Sequence, residues 1–393
     1  MASRIIITMI TFLFLFNGLT DFYFYKRVIC RFTKARWIRI THWSVTILFV
    51  GMLGWLISKF SNPGTDATSN IYIWIIYFYL LVYVPKLVYM LISWPELFLK
   101  RTKAFSVAGG TLSLLIAAGL IWGATGGRFC FRENVAEVAS TRLPESFEGY
   151  TIVQFSDTHL GNFGHSDSIM HELVCRINDI QPDLILFTGD LVNTKANEID
   201  RFASILKTLK ARDGVFSVMG NHDYGDYVYW KTKADHDANL QSLYDKQAQL
   251  GWRVLRNESV YIKRGRDSIA LIGVENWGEP PFHQYGDLDK AIKNVKQNSF
   301  KVLMSHNPEH WRQVVVPRYD INLTLAGHTH AWQMAFGWGN HRYSPAVFKY
   351  KNWGGLYTSG EKHIYVNEGT GYVLYPMRFG AGPEISVIKL RRK

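Results

Sequence analysis

The residues best suited to chemistry in this 393-residue chain lie in five short motifs, each directly after an apolar run. TIVQF (151–155) is followed by Ser156-Asp157-Thr158-His159, LILFT (184–188) by Gly189-Asp190, and VFSVM (215–219) by Gly220-Asn221-His222-Asp223. Farther on, KVLMS (301–305) precedes His306-Asn307-Pro308 and INLTLA (321–326) precedes Gly327-His328-Thr329-His330. Carboxylates, imidazoles and an amide are ligands suited to Mn, Fe or Zn, and the set contains no thiolate. A single Asp-x-His or Gly-Asp after a strand is more often a turn or a helix cap, and Gly-Asn alone can mark a turn. Two histidines at i and i+2 on one strand end have little structural use. Five such motifs in this order make a structural coincidence negligible.

Strands must position these motifs. The five runs, together with IALIGV (269–274), HIYVN (363–367) and ISVIKL (385–390), are short, apolar and rich in β-branched residues. Helix-like stretches at 167–180 and 198–211 alternate with the early ones, which predicts an α/β domain with largely buried sheets. In such sheets ligands bind at the carboxyl ends of the strands, so the motifs converge on one crevice. This domain is expected over 148–393, after a juxtamembrane linker at 128–147. The three cysteines, Cys30, Cys130 and Cys175, are too scattered for a disulfide framework or a Cys-cluster zinc module. Cys175, amid apolar residues, reads as a core thiol.

The front of the chain is different. Residues 1–132 hold 14 Lys and Arg against three acidic residues, a net +11, whereas the rest holds 30 basic and 29 acidic residues, a net +1. The +12 of the whole chain therefore belongs to the front, and the domain with the motifs lacks the basic footprint of a nucleic-acid enzyme. Four apolar stretches, at about 5–25, 44–60, 71–93 and 104–123, are each long enough to cross about 30 Å of hydrocarbon. They predict a transmembrane helical module over 1–127. Asn17 and Asp21 interrupt the first stretch, and the third contains Pro85 and Lys86, which either snorkels or faces neighbouring helices. The first stretch reads as an uncleaved span rather than a signal peptide, since no small-residue cleavage site follows it. The loop 26–39 and residues 100–103 are rich in Lys and Arg and should stay cytoplasmic, while 61–70 has no basic residue. Parity then puts everything after about Gly127 on the non-cytoplasmic face of a multi-pass cell (inner) membrane.

The ordered set D-x-H, GD, GNHD, H and GHTH resembles the calcineurin-like metallophosphoesterases, over roughly Tyr150 to the C-terminus. The tail VNEGTGY (366–372), Arg378 and PEISVIKL (383–390) resembles the membrane-associated phosphodiesterase branch. The resemblance implies a four-layer α/β/β/α sandwich with two divalent metal ions between its sheets. It implies that Asp157, His159, Asp190 and His330 hold the first metal, and that Asp190 bridges to a second held also by Asn221, His306 and His328. His222 would stabilise the reacting phosphate and protonate the leaving oxygen, with Asp223 orienting it. One departure bears on the substrate mouth: Ala331-Trp332 stands where related sequences often have Gly-Gly.

The expected activity is metal-assisted hydrolysis of a phosphodiester or pyrophosphate, with membrane lipids and a phosphorylated lipid or sugar nucleotide as partners and no nucleic acid. Hydrolysis of UDP-2,3-diacylglucosamine is known among relatives, but on the cytoplasmic face, which conflicts with the parity of the spans. The competing reading is a non-catalytic metal-binding sensor or scaffold, against which the His222–Asp223 pair argues. The aromatic loops 279–286 and 332–353 read mainly as packing, with a lipid-entry surface as the alternative.

Overall fold

The computed structural model describes residues 15–60, 70–99, 102–164, 166–280, 283–338 and 341–393. The chain divides into a helical unit, Met1–Thr125 with Leu374–Met377, and an α/β unit, Gly126–Val373 with Arg378–Lys393.

In the helical unit, long runs without charge leave the backbone no better option than to satisfy its own polar groups. Among the described residues the result is three long apolar helices, α1 (Arg36–Phe60), α2 (Asn70–Ser93) and α3 (Ala104–Thr125). At 25, 24 and 22 residues they are about 33–38 Å long, enough to cross a membrane. The second span begins at Arg36 rather than 44, because helical hydrogen bonding continues past the apolar run into its basic flank. Of the first expected span, residues 1–14 lie outside the described residues, and 15–24 is helical, continuing as one wide turn over Tyr25–Ile29. Asp21, which interrupts that span, is fully buried. Its carboxylate accepts from Lys86 Nζ at 2.6 Å, Thr46 Oγ1 at 2.7 Å and the Tyr83 hydroxyl at 2.9 Å. Lys86 thus faces a neighbouring helix and not the membrane surface.

The α/β unit contains two six-stranded sheets. The first is ordered β1 (Arg132–Ser140), β14 (Glu384–Arg392), β2 (Thr151–Phe155), β3 (Leu184–Phe187), β4 (Val215–Ser217), β5 (Trp252–Val254). The second is ordered β12 (Gly355–Ser359), β13 (Lys362–Val366), β9 (Leu323–Ala326), β8 (Lys301–Met304), β7 (Asp267–Gly273), β6 (Glu258–Arg264). A short hairpin, β10 (Phe336–Trp338) with β11 (His341–Tyr343), stands apart. One core lies between the sheets, with Ile152, Leu186 and Ile388 against Leu271, Met304 and Leu325. A second covers the outer face of the first sheet with helices α4 (Asp167–Asp179) and α5 (Lys233–Gln249). A third covers the outer face of the second sheet with Trp311 and Val315. These are the four layers of an α/β/β/α sandwich.

Three local expectations need correction. The stretch 128–147 is not a linker: its Arg132–Ser140 segment pairs in parallel with β14 over nine residues. Its alternation of charged and apolar residues is that of a half-exposed edge strand. The stretch 198–211 supplies only a 3₁₀ turn (Ala196–Ile199) and one helical turn (Ala203–Leu206). Glu198 is diverted to loop N–H groups, accepting from Asn193 at 2.6 Å, Lys195 at 2.9 Å and Gly161 at 3.0 Å. Cys175 is exposed, since α4 turns Met170, Leu173, Val174 and Ile177 inward.

Candidate metal centre

The strands β2, β3 and β4 are adjacent and parallel in one sheet, as are β8 and β9 in the other. Their carboxyl ends therefore present the five motifs side by side. The backbone leaves each strand sharply, and Asp157, His159, Asp190, His328 and His330 all have positive φ, between 50° and 72°. For residues with a Cβ this conformation is costly and persists where surrounding structure enforces it, typically at functional sites. Two motif glycines are required by close approach. A Cβ on Gly220 would collide with the Asp190 carboxylate, and one on Gly189 (φ 99°) would come within 2.8 Å of His306 Nδ1.

Around Asp190 the side chains form two overlapping groups. In one, His330 Nε2 lies 3.3 Å from Asp157 Oδ1 and 3.2 Å from His159 Nε2, which is 3.7 Å from Asp190 Oδ2. In the other, His306 Nε2 lies 3.2 Å from the same Asp190 oxygen, 3.1 Å from Asn221 Oδ1 and 3.2 Å from His328 Nδ1. All seven residues expected as ligands are thus brought together, with Asp190 Oδ2 facing both groups.

The donor set fits metal ions. His306 Nδ1 donates to the Thr188 carbonyl at 2.8 Å, which leaves the Nε2 lone pair of a neutral ring facing two oxygens and a nitrogen. Such a convergence of lone pairs is repulsive without a cation or a proton among them. His159 Nδ1 is also buried, without a hydrogen-bond partner among the described residues. Burial opposes charge on His306, but Asp190 and Asp157 outweigh it and hold the imidazole up at about 9. Burial and the neighbouring His306 push His328 down to about 3. Without a metal, therefore, a proton on His306 relieves the site.

His222 stands beside the two groups. Its Nδ1 donates to the Asn193 carbonyl at 2.9 Å, its ring stacks on Tyr227 at 4.4 Å, and it makes a T-shaped contact with His159 at 4.7 Å. His159, Asp190 and His222 can also bring ligand atoms within 4.8 Å of one another. Asp223 does not orient His222. Its fully buried carboxylate turns back into the loop after β3, accepting from the backbone N–H groups of Asp190 (2.8 Å), Leu191 (2.9 Å), Val192 (3.2 Å) and Gly220 (2.9 Å). The carbonyl of Asn193 does the orienting.

The strand-end pattern contains no signal for several other partners. Tyr350, from the aromatic loop, hydrogen-bonds His328 Nε2 at 3.0 Å, and Tyr227 accepts from Asn221 Nδ2 at 2.8 Å. The buried guanidinium of Arg378 reaches His330 Nδ1 at 3.2 Å. A cleft of about 250 Å³ opens over the site, lined by His222, Tyr227, His328, Lys349, Tyr350 and the Glu279–Pro280 turn. At the departure after GHTH, Ala331 and Trp332 have positive φ (49° and 46°), a conformation for which glycine is the ordinary choice.

Residues 150–332 match the family described as Calcineurin-like phosphoesterase, and residues 3–128 match Probable Calcineurin-like phosphoesterase, transmembrane domain. An uncharacterized metallophosphoesterase of Bacillus subtilis is 31% identical over 259 residues, 65% of this chain and 83% of its own length. The chain belongs to the calcineurin-like metallophosphoesterases. A transmembrane protein with metallophosphoesterase domain from Danio rerio is 31% identical over 263 residues, 65% of this chain and 56% of its own length. An uncharacterized metallophosphoesterase of Campylobacter jejuni matches at 24% identity over 96% of both chains, helical unit included. This chain is therefore a multi-pass membrane metallophosphoesterase with a buried His/Asp site.

Proposed function

We propose that this metallophosphoesterase hydrolyses a phosphodiester or pyrophosphate bond in a lipid or lipid-linked substrate, with two divalent cations. The observation that carries the reading is the single oxygen of Asp190 facing both groups of ligands, with His222 beside them. Asp157, His159, Asp190 and His330 would hold one cation, and Asp190, Asn221, His306 and His328 the other. Bound there, the pair supplies a hydroxide nucleophile at neutral pH and neutralises charge on the phosphoryl oxygens. His222, held through Nδ1 by the Asn193 carbonyl, has Nε2 left to face the phosphate; the doubly protonated ring would stabilise it and pass the Nε2 proton to the leaving oxygen. Lys349 lines the cleft, paired with Glu279 at 3.2 Å. The α/β unit works on the non-cytoplasmic side, a reading supported by the basic residues of 26–39 and 100–103.

The test is to incubate the purified full-length protein with Mn²⁺ and a panel of lipid phosphodiesters, sugar nucleotides and bis(p-nitrophenyl) phosphate. Turnover of a lipid diester or pyrophosphate, lost in His222→Ala, is the expected result. Two bound metals with no hydrolysis of any member would replace this reading by a metal-binding sensor or scaffold.

A further inference from the structure

The helical unit contains a cavity of about 630 Å³, between the first helical stretch, α2 and α3. That volume lies within the range of about 300–1,000 Å³ typical of small-ligand sites. Its walls are mainly apolar, formed by Phe24, Val28, Tyr89, Val107 and Leu114. Val107 is 67% and Leu114 74% exposed, so the cavity opens sideways, onto a surface that a membrane-spanning helix turns to acyl chains.

One end of the cavity is basic. Arg31 and Lys103 both line it, and neither makes an ion pair among the described residues. The third cation on the wall, Lys86, is already paired with Asp21 at 2.6 Å. The site therefore combines an apolar body, a lateral opening and two cations at one end. A small water-soluble anion would leave the apolar walls uncovered, and a lipid without net charge would leave the two cations with only Glu96, already paired with Arg27 at 3.6 Å, for counter-charge. We propose that this cavity binds one anionic glycerophospholipid of the surrounding bilayer. An acyl chain lies along Phe24, Val107 and Leu114, and the headgroup phosphate sits between Arg31 and Lys103.

Gly110 makes the proposal testable without disturbing the helix packing. It lines the cavity, and a Cβ built on it meets nothing within 4 Å, whereas one on Gly109 would press on Ile92 and the Tyr89 carbonyl at 3.3 Å. Gly110→Leu should therefore fill the cavity and leave the fold alone. The full-length protein is reconstituted with phosphatidylcholine and phosphatidylglycerol in EDTA, then extracted in mild detergent, and retained lipids are counted by native mass spectrometry. One phosphatidylglycerol per chain should be retained in preference to phosphatidylcholine, by about 30-fold at roughly fivefold per cation. Arg31→Gln with Lys103→Gln should bring the preference close to one, and Gly110→Leu should abolish retention with the thermal unfolding of the helical unit unchanged. Equal retention of both lipids by the wild type, or wild-type retention by Gly110→Leu, would overturn the proposal. Displacement of the lipid by millimolar glycerol 3-phosphate would also overturn it, since the acyl chain would then contribute nothing. Because no metal is needed, the outcome is independent of the activity proposed for the α/β unit.

Discussion

Asp223→Asn separates two accounts of the GNHD motif. The two carboxylate oxygens divide four backbone donors between them, Oδ2 taking Asp190 and Gly220, and Oδ1 taking Leu191 and Val192. An asparagine retains one oxygen, so whichever way its amide turns, two buried N–H groups face an NH₂. A buried unsatisfied donor costs about 1–3 kcal/mol, which puts the loss at about 2–6 kcal/mol. For a domain of this size that is about 4–24 °C in Tm. The loop concerned carries Asp190, so its displacement should also weaken both metal sites. The assay is thermal unfolding together with metal content after dialysis against a fixed Mn²⁺ concentration, and the expected result is a lower Tm with less than full occupancy. If Asp223 acted instead through His222, the variant would keep its Tm and both metals and lose only turnover. That result would refute the reasoning.

Asp190→Ala should empty both sites, whereas His222→Ala should retain two metals and lose about 10²–10⁴ in turnover; near-normal activity of the His222 variant on an unactivated diester would sink its assignment. Metal affinity should rise with pH. His306 is held up at about 9, so below that pH binding must expel its proton, and apparent affinity at its site should gain about tenfold per pH unit from 6 to 8. A flat profile in titration calorimetry would contradict this. Gly220→Ala places a methyl group against the Asp190 carboxylate and should cost about 1–3 kcal/mol along with metal occupancy, measured by unfolding and elemental analysis. Protease added to intact cells should cleave the α/β unit, and its survival beside a cleaved surface control would reverse the topology.

The ligand types were legible in the sequence because each follows an apolar run, and a strand's carboxyl end is where a parallel sheet exposes side chains to a common crevice. The strands themselves were legible for the same reason: eight short β-branched runs needed both faces buried, and both faces are. Edge strand β1 was missed because a half-exposed strand carries charges and reads as a linker. The transmembrane helices were visible by length and composition, but the start of α1 was not, since composition marks the hydrocarbon and not the end of a hydrogen-bond ladder.

By itself the sequence determined which groups are available for chemistry, in what order, and that a basic apolar module precedes them. Tertiary structure decided whom each group faces. It aimed Asp223 at four backbone amides and gave His222 to the Asn193 carbonyl, although Asp223 and His222 are neighbours in the chain. It brought Tyr350 and Arg378 to histidines 22 and 48 residues away. It also paired Asp21 with Lys86, 65 positions away in the chain. Side-chain direction depends on backbone torsions and packing, and adjacency in sequence sets neither.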